Sequence, residues 1–124
     1  MAEDNDLNAE IAAVILERAG LKVERVEDGL QCVNRIEQMP SGTYDLVLMD
    51  IQMPNMDGYK ATRCIRRFED KKKAEIPIIA MTANAFAEDR KRAFDAGMNG
   101  HIAKPIDIEK LGAVILSVLN KQEN

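Results

Sequence analysis

Residues 44–50 read Tyr-Asp-Leu-Val-Leu-Met-Asp, a compact apolar run that ends abruptly in a carboxylate. A run of this length with no polar alternation fits a strand covered on both faces, as in a parallel sheet between two layers of helices. A second such run, Ile-Pro-Ile-Ile-Ala-Met, spans 76–81 and leads into Thr82. Pro77 is tolerable there only near the strand's start. A short third run, Gly100 to Ala103, leads into Lys104.

Helical spacing fills the intervals. Leu7, Ile11, Val14 and Ile15 predict a helix stopped at Gly20, and Lys22 to Val26 predicts a strand ending at Asp28-Gly29. Leu30, Val33 and Ile36 mark a second helix closed by Pro40 and Gly42. After a loop from Pro54 to Gly58, Ala61, Ile65 and Phe68 share one face of a third helix. Residues 69–75 read as a solvated, charged linker. A polar-faced helix from Phe86 to Ala96 stops at Gly97, and Ile108, Leu111, Ile115 and Leu119 give the last helix. Strands alternating with helices predict one α/β domain over 1–124, a doubly wound parallel sheet.

The chain has 124 residues, 46% hydrophobic and 31% charged, with a net charge of -4. That balance excludes disorder and leaves no basic excess for a phosphate backbone, so nucleic acid is not expected as a partner. Apolar stretches are too short to span a bilayer, no basic-then-apolar leader opens the chain, and Cys32 and Cys64 form no CxxC pair. A cytoplasmic setting without membrane contact is the expectation.

In sheets of this kind function gathers at the carboxyl ends of the strands. Those ends bring together Asp50, Thr82 and Lys104, with Glu3 and Asp4 placed just before the first helix. Clustered carboxylates repel one another unless a cation joins them, and oxygen ligands without His or Cys favour Mg²⁺. With the ion between Asp4 and Asp50, one Asp50 oxygen remains free as a nucleophile, and Thr82 and Lys104 suit phosphoryl oxygens. The chemistry is that of an aspartyl-phosphate site. Each residue taken alone has a plainer reading: Asp4 and Asp6 as helix caps, Thr82 as a turn cap, Lys104 as a solvent-facing turn, His101 as a packing residue. Convergence on one rim outweighs those readings for Asp50, Thr82 and Lys104, and by less for His101, while Asp6 stays a cap.

The stretches Glu3-Asp-Asn5, residues 45–58 from Asp45 to Gly58, Ile76 to Ala83, and Ala103-Lys-Pro105 resemble the receiver domain of two-component response regulators, especially receivers attached to hybrid histidine kinases. The resemblance implies a flavodoxin-like sheet in the order 2-1-3-4-5. It implies that Asp50 accepts a phosphoryl group from a kinase phosphohistidine, with Mg²⁺ held by Glu3, Asp4, Asp50 and the backbone carbonyl of Gln52. Thr82 would be the switch hydroxyl, His101 the switch aromatic, and Lys104 the phosphate-contacting lysine ahead of a cis bond to Pro105. Gln52, Ala83 and Asn84 would tune the phosphoryl lifetime. Partners would be a histidine kinase or a histidine phosphotransfer protein, and the isolated domain would be no enzyme beyond its own phosphorylation and dephosphorylation.

Other classes compete. A phosphorylation-independent pseudo-receiver would keep the fold as an interaction module, but Asp50, Thr82 and Lys104 are intact. A Mg²⁺-dependent phosphatase with an aspartyl-phosphate intermediate needs a second Asp two residues after the first, and Gln52 stands there. A flavodoxin-like cofactor binder needs a Gly-rich phosphate loop, which is missing. The chain departs from its family in one respect: only Met1 and Ala2 precede Glu3, so the first strand is truncated. An open slot in mid-sheet predicts a homodimer or strand-swapped arrangement, with Glu3 and Asp4 loosely placed and Mg²⁺ affinity reduced.

Overall fold

The computed structural model describes residues 1–83, 87–104 and 106–123. Its elements run α1 (Asp6–Arg18), α2 (Gly29–Gln38), β1 (Val47–Asp50), α3 (Gly58–Arg66), α4 (Lys71–Ala74), β2 (Ile78–Thr82), α5 (Ala87–Ala96), β3 (Gly100–Ala103) and α6 (Ile108–Glu123). The three strands are parallel in the order β1-β2-β3, with Val47 opposite Ile78 and Thr82 opposite Ala103. Each of the first four helices opens on an Asn or Asp side chain that accepts a backbone N–H: Asn5, Asp28, Asp57 and Asp70. These caps satisfy donors that the helix itself leaves unpaired.

Strand side chains alternate between two apolar clusters. Val47, Met49, Ile78 and Ala80 pack on one side with Val33, Ile36, Ala61 and Ile65. Leu48, Ile79 and Met81 pack on the other with Leu16, Leu111 and Val118. β1 and β2 are buried along their whole length, as the unbroken apolar runs require.

Several expectations need correction. The Lys22–Val26 segment forms no strand; it meets the sheet only through a single bridge at Val26. Residues 44–46 precede β1 rather than belonging to it, because β2 begins pairing only after Pro77, whose carbonyl accepts from Val47 N–H at 2.8 Å. The 69–75 linker contains the short helix α4, started by Asp70 and anchored by buried Ala74. α1 buries Ala9, Ala12 and Leu16, while Leu7, Ile11 and Val14 face solvent. Its cap is Asn5, and Asp6 lies in the first turn. Gly20, at φ +92°, ends α1 as expected.

The truncated first strand is accommodated within one chain at the level of the strand tips. Ala2 bridges in parallel to both Val26 and Met49. Ala2 N–H donates to Leu48 C=O at 2.8 Å, Asp50 N–H donates to Ala2 C=O at 3.0 Å, and Val26 N–H donates to Met1 C=O at 2.9 Å. The spatial order Val26, Ala2, β1, β2, β3 is therefore the 2-1-3-4-5 order, with its first two members shortened to single rungs. Below that level, towards the amino ends of the strands, the space between Val23 and Leu46 stays open.

Candidate functional site

The rim above the strand tips is built from the stub and from the loops that follow each strand. β1 delivers Asp50 at its last residue, β2 delivers Thr82, and the turn after β3 delivers Lys104, whose N–H donates to Thr82 C=O at 2.8 Å. The loop after Asp50 folds back so closely that Gly58 N–H reaches Ile51 C=O at 2.9 Å. A Cβ on Gly58 would lie 2.3 Å from the Asp50 carbonyl oxygen, so only glycine fits there. Asn55, at φ +63°, donates from its side chain to Asp28 at 2.7 Å and ties the loop to the start of α2.

Glu3, Asp50 and Lys104 form one connected cluster. Lys104 Nζ lies 2.8 Å from Glu3 Oε2 and 2.8 Å from Asp50 Oδ2. Asp50 Oδ1 accepts Gln52 N–H at 3.2 Å. One oxygen each from Glu3, Asp4 and Asp50 come within 4.8 Å of one another, Asp4 exposed and the other two buried. A cavity of about 390 Å³ opens over the group, lined also by Gln52, Thr82 and Ala83.

Burial pushes the Asp50 carboxyl up; Lys104 pulls it back and neighbouring Glu3 raises it again, leaving it at about 6. Burial also acts to raise Glu3, but its bonds to Lys104 and Asp50 outweigh that and hold it below the ordinary carboxylate range. Burial acts to lower Lys104, and the two carboxylates prevail and raise it. Two carboxylates thus share one ammonium, with exposed Asp4 beside them. The surplus negative charge and all-oxygen donor set fit a hard divalent cation, with Asp4, Asp50 and Glu3 as the acidic donors.

Glu3 is anchored more firmly than its position near the chain start suggested. Arg25 donates to its carbonyl from Nε at 3.0 Å and Nη2 at 2.8 Å, and Nη1 reaches Asp6 at 2.8 Å. Arg25 carries no sequence signal for this task, since a guanidinium bonding a distant backbone carbonyl leaves no periodicity. Of the expected residues, Glu3, Asp4, Asp50, Gln52, Thr82, Ala83 and Lys104 all line the cavity. His101 does not; it sits in β3 opposite Ala80, half-buried, its pKa lowered by burial and by Arg90. Asn84 and the bond to Pro105 lie outside the described residues.

A parallel α/β sheet with an acidic cluster, a hydroxyl and a lysine at its strand tips defines the class of signalling receivers. The profile of the response regulator receiver domain matches residues 1–116, and the chain belongs to that family. It is 40% identical over 121 residues to the peroxide stress-activated histidine kinase mak1 of Schizosaccharomyces pombe, covering 97% of this chain and 7% of that protein. It is 39% identical over 115 residues to the sensor protein GacS of Pseudomonas syringae, covering 92% and 12%. The chain therefore spans a small fraction of these relatives. Among solved structures, the receiver domain of sensor histidine kinase PA1611 from Pseudomonas aeruginosa, with magnesium in its active-site cleft, superposes with TM-score 0.83 at 39% identity, covering 96% of this chain and 93% of that one. The receiver domain of Ssk1 from Saccharomyces cerevisiae, solved with the histidine phosphotransfer protein Ypd1, has TM-score 0.79 at 28% identity, covering 90% and 80%. Among the described residues no helix is long and apolar enough to cross a membrane.

Proposed function

We propose that this receiver domain accepts a phosphoryl group on Asp50 from a phosphohistidine of a histidine kinase or histidine phosphotransfer protein. The observation that carries this reading is the placement of Lys104 Nζ at 2.8 Å from both Glu3 and Asp50 beneath an open cavity that Thr82 also lines. An Asp50 oxygen attacks phosphorus while the P–N bond of the donor breaks. The bonding pair leaves with the imidazole nitrogen that carried the phosphorus, and a proton on the other ring nitrogen lets the donor depart as neutral imidazole. Lys104 neutralises one phosphoryl oxygen, and the Thr82 hydroxyl donates to another. Asp4, Asp50, Glu3 and the Gln52 carbonyl would hold Mg²⁺, which would supply neutralisation of phosphoryl charge.

The new group adds roughly -1.5 to -2 charge. Thr82 moves towards it and the His101 ring follows, altering the face made by α5, β3 and α6. Replacing Gln52 or Asn84 is expected to change the lifetime of the phosphoryl group rather than its formation. Ala83 stays small to leave that group uncovered.

Incubation with a small acyl-phosphate donor and Mg²⁺, followed by mass spectrometry, tests the assignment. One labile phosphoryl group is expected, lost in Asp50→Asn. Equal labelling of that variant overturns it, and no labelling of the wild type favours the pseudo-receiver reading.

A further inference from the structure

Charge is spread unevenly along the chain. Residues 60–73 hold seven Lys and Arg against two acids, whereas the remaining residues hold ten against nineteen. The basic stretch covers most of α3, the turn after it and the first three residues of α4. On α3 the buried face takes Tyr59, Ala61, Thr62 and Ile65, which leaves Lys60, Arg63 and Arg67 exposed. Spacings of three and four stack these cations in one line. Lys71 and Lys72 stand exposed on α4, beyond the line's far end.

The other two cations of the stretch build the frame. Arg66 donates from Nε to Gly97 C=O at 2.9 Å and from Nη1 to Ala74 C=O and Ile76 C=O, each at 2.7 Å. Lys73 Nζ donates to Glu37 C=O at 2.7 Å. Arg66 thereby pins α4 to the end of α3, and the row is rigid before anything meets it. Among the described residues, none of Lys60, Arg63, Arg67, Lys71 and Lys72 takes part in an ion pair. Like charges at helical spacing destabilise the helix that carries them, and a counter-charged partner removes that repulsion. Asp70 is turned to the backbone instead, accepting Lys72 N–H at 2.9 Å.

Three kinds of polyanion could meet such a row, and its surroundings favour one. No large apolar side chain between residues 57 and 75 is exposed, so nothing there enters a bilayer interface. Exposed Glu69, Asp70 and Glu75 would oppose a plane of anionic headgroups. No exposed aromatic ring lies in that stretch to stack nucleic-acid bases. A narrow acidic chain can follow the α3 line and leave those acids to its side. The rest of this chain is net negative, repels such a segment elsewhere and directs it to the row.

We propose that the α3–α4 flank docks an acidic segment of a partner protein, with its carboxylates paired to Lys60, Arg63, Arg67, Lys71 and Lys72. Lys60 to Arg67 spans about 10 Å at the helical rise, the reach of about three extended residues. A run of roughly six Asp or Glu residues covers the row once α4 is added. α3 starts against the Asp50 carbonyl, and none of the five cations lines the cavity over Asp50. The docked segment therefore follows the side of the domain and leaves that cavity open. Docking does not rest on the receiver reading.

Fluorescein-labelled octaglutamate, beside labelled octaglutamine, is titrated with the protein and followed by anisotropy. At about 20 mM salt the glutamate peptide is expected to bind with a dissociation constant below about 1 mM, weakening about tenfold at about 200 mM salt, while octaglutamine does not bind. Arg63→Glu with Arg67→Glu is expected to weaken binding at least about tenfold. Arg18→Glu with Lys22→Glu, the same change of net charge elsewhere, is expected to stay within about threefold of wild type. If the first pair unfolds by circular dichroism, Lys71→Glu with Lys72→Glu decides, with the same tenfold loss expected. Asp50→Asn is expected to bind as wild type does. No binding of octaglutamate, or equal weakening by the row and control pairs, overturns the proposal. Loss of binding in Asp50→Asn moves the peptide to the phosphoacceptor cavity and overturns it as well. Tighter binding to phosphatidylserine vesicles or to oligothymidylate than to octaglutamate assigns the row to that polyanion and overturns the acidic segment.

Discussion

Arg25→Met removes a guanidinium while keeping most of the side chain's bulk, and it isolates what holds the acidic stub over the site. Arg25 makes two bonds to one carbonyl, that of Glu3, at 3.0 and 2.8 Å. A hydrogen bond with a charged partner contributes about 1.5–3 kcal/mol. Two donors on one oxygen count as little more than one bond. The side chain is 26% exposed, which lowers the figure to roughly 1–1.5 kcal/mol. The ion pair with Asp6, whose side chain is 89% exposed, adds about 0–0.5 kcal/mol. If the loss is felt wholly by the acidic cluster, Mg²⁺ affinity falls about 5- to 10-fold. Calorimetric Mg²⁺ titration of Arg25→Met beside Asp6→Asn checks this, with Asp6→Asn expected to stay within about twofold of wild type. Wild-type Mg²⁺ affinity in a destabilised Arg25→Met would refute the reasoning, as would an equal loss in Asp6→Asn.

Asp50 holds its proton to about pH 6 in the fold, against 3.8 for the free group, so metal-free stability from this residue is present at low pH and lost as pH rises through that window. Asp50→Asn is therefore expected to gain on the wild type between about pH 4 and 7, by about 1–3 kcal/mol in denaturant titrations, and Mg²⁺ is expected to shrink the gap; a gap independent of pH would contradict this. Gly58→Ala places a Cβ 2.3 Å from the Asp50 carbonyl and 3.0 Å from the Met49 side chain, and a cost of about 1–3 kcal/mol with slowed phosphorylation is expected. Gly112→Ala is the matched control, since nothing lies within 4 Å of its Cβ; thermal melts that rank the two variants the other way would show that the close approach at Gly58 is not what holds the loop.

Asp50, Thr82 and Lys104 were legible because each ends an apolar run, and a buried strand can show its chemistry only at its tips. The truncated first strand was legible as well, but its outcome was not. Three residues are enough to close the upper rung, because Ala2 bonds neighbours on both sides and Arg25 holds Glu3 from outside the sheet. Lys22 to Arg25 form no strand, and only Val26 bridges to Ala2. The α4 helix hid inside a charge run because one cap, Asp70, and one buried methyl, Ala74, decide it rather than any periodicity. The exposed row Leu7, Ile11 and Val14 followed helical spacing but not the buried face, which the small residues Ala9 and Ala12 supply.

The stub also turns one amide into a gauge. Asp50 N–H is bonded to Ala2 C=O, whereas the next amide, Ile51 N–H, is bonded to Met81 C=O inside the sheet. In native-state hydrogen exchange the first opens whenever the three leading residues fray, and the second only when β1 and β2 part. The ratio of the two exchange rates therefore reads the order of the chain's first residues from inside its reactive centre, with adjacent positions serving as probe and internal standard.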